Sequence, residues 1–257
     1  MVPECRYKTL VEYDGTDFLG YQIQAQGRTV QGEIEKTLKK VTQLDIRIDG
    51  AGRTDAGVHA VGQVVAFNAI WKHSVEELHR ALNATLPTDI VVSSLKTVDK
   101  IFHPRFDALS RSYRYTIINQ PWPKVLERRY VHHVRNKLDV VAMRQASRFL
   151  LGSHDFASFG KPPQGQNTVR QVIQVDWFAK DNRLIFEITA NAFLYRMVRT
   201  IVGTLLQVGC GQLAPDHIKD IMAARDLRRS APPAPAHGLC LVRVTYPEDI
   251  ESAGQTG

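Results

Sequence analysis

Two strand-like stretches, Ile46-Arg47-Ile48 and Val61 to Phe67, follow one another directly across a glycine-rich connection, and this constrains the fold more than any other feature. A doubly wound parallel sheet needs a helix after each strand. Here the element order is strand, helix, two strands, helix, strand, with a comparable mixture in the second half, so a mixed or antiparallel α+β sheet is expected. The first strand is read at Arg6 to Tyr13, followed by a turn at Asp14-Gly15-Thr16-Asp17. In Val30 to Leu44 the apolar residues Val30, Ile34, Leu38 and Val41 fall on one helical face. Ser74 and Glu77 have capping-box spacing, and Leu78, Leu82 and Leu86 continue that second helix. Strands are predicted at Ile90 to Val98, Arg111 to Ile118, Val169 to Phe178, Leu184 to Ala190 and Leu239 to Tyr246. Further helices are predicted from Asp139 to near Gly152, from Phe193, and from Pro215. Ala231 to Ala236 reads as an extended connector, and Glu251 to Gly257 as a loose tail.

At 257 residues and 44% hydrophobic content the chain can bury one large core or two smaller ones. The Pro121-Trp122-Pro123 interruption suggests an N-terminal α/β subdomain over 1–120 and a C-terminal one over 121–257. No window approaches the ~18 apolar residues of a membrane span, and Met1 to Lys8 has no apolar core of a signal peptide, so a cytoplasmic protein without membrane association is expected. Cys5, Cys210 and Cys240 are isolated and odd in number, which suggests reduced core residues. The nine histidines include no zinc spacing, so no metal is expected.

Lys and Arg number 33 against 26 Asp and Glu, a net charge of +7. The surplus clusters between Ile101 and Lys137, where Arg105, Arg111, Arg114, Arg128, Arg129 and Arg135 alternate with Phe102, Phe106, Tyr113, Tyr115, Trp122 and Tyr130. Arginines hold phosphates while bases stack on aromatic rings, so this segment suits RNA. A solvated basic face would have the same composition.

The connection itself reads Gly50-Ala51-Gly52-Arg53-Thr54-Asp55-Ala56-Gly57-Val58-His59-Ala60. A lone aspartate among glycines is commonly a turn-former. It is also a candidate nucleophile, since a carboxylate can attack an electrophilic carbon, and Arg53 alternates onto its side to favour the charged form. Asp55 and His59 are four apart but lack the third group that a metal site or triad needs. In Asn191 to Gly203 a helical wheel buries Leu194, Val198, Ile201 and Leu205 and puts Arg199 at the edge of that stripe, with Arg196 farther round.

Gly50 to His59 resembles the signature of the tRNA pseudouridine synthase A family. Similar to the same family are Tyr13-Asp14-Gly15-Thr16, Thr29-Val30-Gln31-Gly32, Phe102 to Phe106, Tyr113-Arg114-Tyr115, His154-Asp155-Phe156, Asn191 to Gly203 and Ala231-Pro232-Pro233 with Gly238-Leu239. The resemblance runs from about Tyr7 to Pro247. It implies the pseudouridine synthase fold, with two similar α/β subdomains around a central basic cleft. It also implies a cofactor-free homodimeric isomerase that converts uridine to pseudouridine at positions 38, 39 and 40 of the tRNA anticodon stem-loop. By the resemblance Asp55 is the nucleophile, Tyr113 stacks on the target base, Arg199 pairs with the nucleophile and Arg53 holds the flipped nucleotide. Arg105, Arg111, Arg114 and Arg196 are the expected RNA contacts, and the loop glycines let RNA come close. The residues leave open whether the carboxylate attacks uracil C6, attacks ribose C1′ or takes the C2′ proton. Two positions depart from the family pattern: Tyr21 stands where tryptophan is usual, and Arg196 where histidine is usual. The competing readings are a non-catalytic RNA-binding module or chaperone, and a carboxylate-based hydrolase, which would ordinarily need a second acid.

Overall fold

The computed structural model describes residues 3–163 and 165–249. The tail from Glu251 and the first two residues, on which the reading of the N-terminus partly rests, lie outside them. In chain order the elements are β1 (Glu4–Tyr13), α1 (Val30–Thr42), β2 (Ile48–Gly50), β3 (His59–Ile70), α2 (Val75–Thr85), β4 (Ile90–Val98), β5 (Ser110–Asn119), β6 (His132–Val134), α3 (Val140–Arg148), β7 (Gly152–Asp155), β8 (Val169–Lys180), β9 (Arg183–Ala190), α4 (Met197–Gly209), α5 (His217–Ala224) and β10 (Leu239–Thr245). The chain divides into two compact units, residues 1–109 with 241–257, and residues 110–240.

In the first unit the strand order is β4-β1-β3-β10, with β2 on β3, and β1 runs antiparallel to β3 and β4. Tyr7, Thr9, Val11 and Tyr13 are buried on one face of β1, the period of two that a half-covered strand requires. Val30, Ile34 and Leu38 are buried on α1, as their spacing predicts, while Val41 at the end of the stripe is half-buried. The α1 N-terminus is closed by Thr29, whose hydroxyl accepts from Gly32 N–H at 3.2 Å. On α2 the capping box forms as the spacing predicts, with both Ser74 and Glu77 side chains bonded. Gly62 lets β10 approach, since a Cβ there would stand 2.3 Å from Val242 O.

In the second unit the order is β5-β9-β8-β7, all antiparallel, and β6 adds to β5 in parallel. The sheet is therefore mixed and mainly antiparallel, as the element order predicts. Tyr115, Ile117, Phe186 and Ile188 form its inner face, and α3 packs on α4. The α4 helix is buried nearly all round, which marks it as a core helix rather than an amphipathic surface one.

Several sequence expectations are corrected. Helix α4 starts at Met197, not Phe193, because Tyr195 N–H bonds to Lys161 O at 2.9 Å and Arg196 takes a left-handed conformation with φ 61°. Such a φ costs a residue with a Cβ about 1–2 kcal/mol. Helix α3 ends at Arg148 rather than near Gly152, and β2 lies two residues beyond its predicted start. None of the three cysteines belongs to the core: Cys210 is exposed, and Cys5 and Cys240 are half-buried, and none of them is in a disulfide. The expected extended connector from Ala231 to Ala236 has no regular structure over 231–235, gives way to a 3-10 turn at Ala236, and is not loose. Ala234 N–H bonds to Arg199 O at 2.9 Å, and Ala231 N–H to Thr204 Oγ1 at 3.2 Å, strapping it onto α4. Gly203 permits that approach, since a Cβ there would lie 2.2 Å from Pro232 O.

Candidate active site

The connection between β2 and β3 in the first unit is fixed by buried polar contacts. Ala51 N–H bonds to Val64 O at 2.9 Å, and Tyr21 N–H to Thr54 O at 3.1 Å. Gln63, completely enclosed on β3, clamps Gly52 from both sides: it donates to Gly52 O at 2.8 Å and accepts from Gly52 N–H at 3.3 Å. Thr54 points inward, its hydroxyl 2.8 Å from the Tyr13 hydroxyl. On either side of this anchor stand the exposed Arg53 and the half-buried Asp55, the alternation the sequence suggests. Asp55 O accepts from Val58 N–H at 3.2 Å, closing a turn whose third residue, Gly57, has φ 77°. That left-handed position favours glycine.

The loop is held from outside as well. A Cβ on Gly20 would stand 2.9 Å from Thr54 O, and one on Gly15 would lie 2.0 Å from Val58 O, so both positions are kept bare by the backbone of the Asp55 loop. The space beside Gly50 is not open for a ligand, because the Tyr21 ring fills it: its hydroxyl would lie 2.3 Å from a Cβ there. Tyr21 OH has no hydrogen-bond partner among the described residues, and burial pushes its pKa well above the ordinary value. Asp55 and His59, four apart in sequence, lie on a loop and a strand and not on a helix. His59 begins β3, and its Nδ1 accepts from Gly15 N–H at 3.0 Å.

In the second unit Tyr113 lies on β5, opposite Ile188 on β9, and packs edge-to-face against Phe193 with centroids 5.1 Å apart. It is 9% exposed, whereas Tyr115 on the same face is wholly buried and donates to Pro235 O at 2.9 Å. Arg199 is half-buried at the edge of α4, as the helical wheel predicts, with Nε donating to Ala234 O at 2.8 Å. Arg111 is 9% exposed and donates to Asn191 O at 3.0 Å. Arg114 pairs with Glu187 on the neighbouring strand at 2.7 Å. Arg196 is exposed, its guanidinium 4.9 Å from the Tyr195 ring centroid. Arg105, in the first unit, lies 5.7 Å from the Phe106 ring. Phe106, Trp122 and Tyr130 are the exposed aromatics of the basic segment, at 73%, 74% and 49%.

Three contacts that shape these surroundings were not singled out in the sequence: the Tyr13 to Thr54 bond, the Gln63 clamp and the strap on α4. Gln63 carries a readable signal, a polar residue at an inward position of an otherwise apolar strand. Among the described residues no group of three or more His, Cys, Asp or Glu is placed to hold a metal ion.

Comparison with known proteins decides the family. The profile of the tRNA pseudouridine synthases matches residues 10–107 and 146–247, and the first block contains the whole Asp55 loop. The chain belongs to the tRNA pseudouridine synthase family. It is 45% identical over 231 residues to tRNA pseudouridine synthase A of Halalkalibacterium halodurans, covering 89% of this chain and 88% of that protein. It is 43% identical to the Brevibacillus brevis protein of the same name, over 94% of this chain and 99% of that one. The Bacillus subtilis counterpart is 42% identical with the same coverage. The matched blocks of this synthase include Arg53, Asp55, Arg105, Arg196 and Arg199, while Arg111, Tyr113 and Arg114 fall between them.

Proposed function

We propose that this tRNA pseudouridine synthase acts on the anticodon stem-loop, at positions 38, 39 and 40, with Asp55 as its nucleophile. In the reaction the N1–C1′ glycosidic bond breaks, the uracil turns, and a C5–C1′ bond forms in its place. The C5 hydrogen leaves to solvent and N1 regains a proton, so the product is an isomer. Tyr113 stacks on the target base, Arg199 pairs with the carboxylate and Arg53 holds the everted nucleotide. Arg105, Arg111, Arg114 and Arg196 serve the RNA, the exposed ones by phosphate contact and the buried ones by shaping the surface. The enzyme works without a cofactor, as a homodimer in the cytoplasm.

What carries this reading is the Asp55 loop. Gln63 holds Gly52, the Tyr21 N–H and the Tyr13 hydroxyl hold Thr54, and the turn closed by Val58 completes the set, so the backbone that carries the loop's one carboxylate is fixed by other elements as well as by its own turn. A fixed carboxylate spares the reorganisation that a mobile one would need at the moment of attack. Taking a base out of its stack costs a few kcal/mol, which binding of the flanking RNA must offset.

The test is a map of pseudouridine in unmodified tRNAs carrying uridine at 38, 39 or 40. Modification should appear at those uridines and vanish when each is replaced by cytidine. Modification elsewhere in the tRNA, with the anticodon stem-loop untouched, overturns the assignment. A non-catalytic RNA-binding module would bind these tRNAs and modify none.

A further inference from the structure

A pocket of about 420 Å³ in the second unit opens where the chain enters α4, lined by Phe159, Lys161, Tyr195, Arg196, Leu227 and Pro232 among others. That volume lies within the ~300–1,000 Å³ typical of small-molecule sites. Its walls are set by backbone. Lys161 and Tyr195 form an antiparallel bridge, the 231–234 strap is bonded to α4, and a Cβ on Gly160 would stand 2.6 Å from Tyr195 O. The floor is apolar, with Phe159 wholly buried and the Tyr195 ring half open.

The rim is cationic. Among the described residues neither Lys161 nor Arg196 has a carboxylate partner, whereas Arg225 pairs with Asp155 and Arg228 with Asp226. Arg196 is also the residue that bears a left-handed φ of 61°, where glycine or asparagine would be less strained. Strain of this kind persists where the surroundings fix a side chain for a task. A flat aromatic and proline surface beside two cations that have no carboxylate partner among the described residues is the chemistry that holds one nucleotide, base on the rings and phosphate on the charges.

We propose that this pocket is a subsite for a single nucleotide of the RNA substrate outside the target uridine, with its base against Tyr195 and Pro232 and its phosphate on Lys161 and Arg196. This rests on the reading that the substrate is tRNA. The Arg196 guanidinium stays charged at neutral pH, so the phosphate contact persists there.

The test is fluorescence anisotropy with a labelled anticodon-arm RNA, titrated between about 50 and 200 mM salt. Lys161→Ala and Arg196→Ala should each weaken binding and lower the slope of log affinity against log salt by about 0.7–0.9, with the double variant losing about twice as much. Lys161→Arg should restore the slope. Ser230→Phe, which fills the pocket from its wall, should weaken binding about 5-fold or more with the slope unchanged, because it removes stacking and leaves the charges. Unchanged slopes in both alanine variants would overturn the phosphate assignment, and unchanged affinity in Ser230→Phe the base assignment. Pseudouridine formation by the wild type is measured alongside. If it occurs while the pocket variants bind normally, this inference falls and the enzymatic reading stands.

Discussion

Replacing Thr204 by valine tests what holds the 231–234 strap on α4. Thr204 is wholly buried on α4, where its hydroxyl donates to Thr200 O at 2.9 Å and accepts from Ala231 N–H at 3.2 Å. Valine keeps the shape and removes the acceptor. Thr200 O retains its helical N–H partner, so the cost falls on Ala231, whose N–H is left without its bond at a position 7% exposed. An unsatisfied buried donor costs about 1–3 kcal/mol, so about 2 kcal/mol is expected. For a protein of this size that lowers the melting temperature by about 4–8 °C. Thr204→Ser keeps the hydroxyl and loses one buried methyl, at about 1 kcal/mol. Stability should therefore fall in the order wild type, serine, valine. Hydrogen exchange at Ala234 N–H, which bonds to Arg199 O, should quicken more in the valine variant than in the serine one. Chemical denaturation and exchange mass spectrometry read both. A valine variant as stable as the serine variant would refute the strap's dependence on this bond.

Tyr21→Phe removes a buried hydroxyl that bonds to nothing among the described residues, so urea unfolding should show no loss of stability and a gain of up to about 1 kcal/mol. His132, on β6, has its pKa lowered to about 4 by burial first and then by His237 and His133, with the Tyr115 ring also against it. Between about pH 6.5 and 4 the unfolded chain takes a proton that the folded one refuses, so stability drops as pH falls through that window. Discounted for partial exposure, the loss at pH 5 is about 1 kcal/mol, and His132→Gln should flatten the wild-type difference between pH 7 and pH 5 by that amount.

Local signals carried most of the fold. The α2 cap, its buried Leu78 and Leu82 and the limits of β4 depend on residues within a few positions of one another and are found where the spacing places them, while Leu86 falls just past the helix as its C-cap, half-buried. The start of α4 depends on Lys161 meeting Tyr195, and no periodicity near Phe193 contains that information. Strands β6 and β7, of 3 and 4 residues, are too short to alternate visibly. The basic aromatic segment shows what a charge census leaves out. Arg111 is buried against a backbone carbonyl, Arg114 shares its charge with Glu187 and Tyr115 lies in the core, so fewer of the segment's rings and charges face outward than the composition suggests. At the Asp55 loop the motif was legible as a motif, but not what holds it. Gln63, Tyr13 and Tyr21 act from other elements, and Tyr21 occupies the space that Gly50 leaves.

The central claim is that the carboxylate of Asp55, carried on a pinned loop, performs the isomerisation. Unmodified tRNA carrying tritium at uridine C5 reports it directly, because the C5 hydrogen leaves when the new carbon–carbon bond forms. Wild-type protein should release tritium without added metal or cofactor, and Asp55→Asn should release none while still binding the tRNA. Release by Asp55→Asn at a rate near that of the wild type would contradict the account.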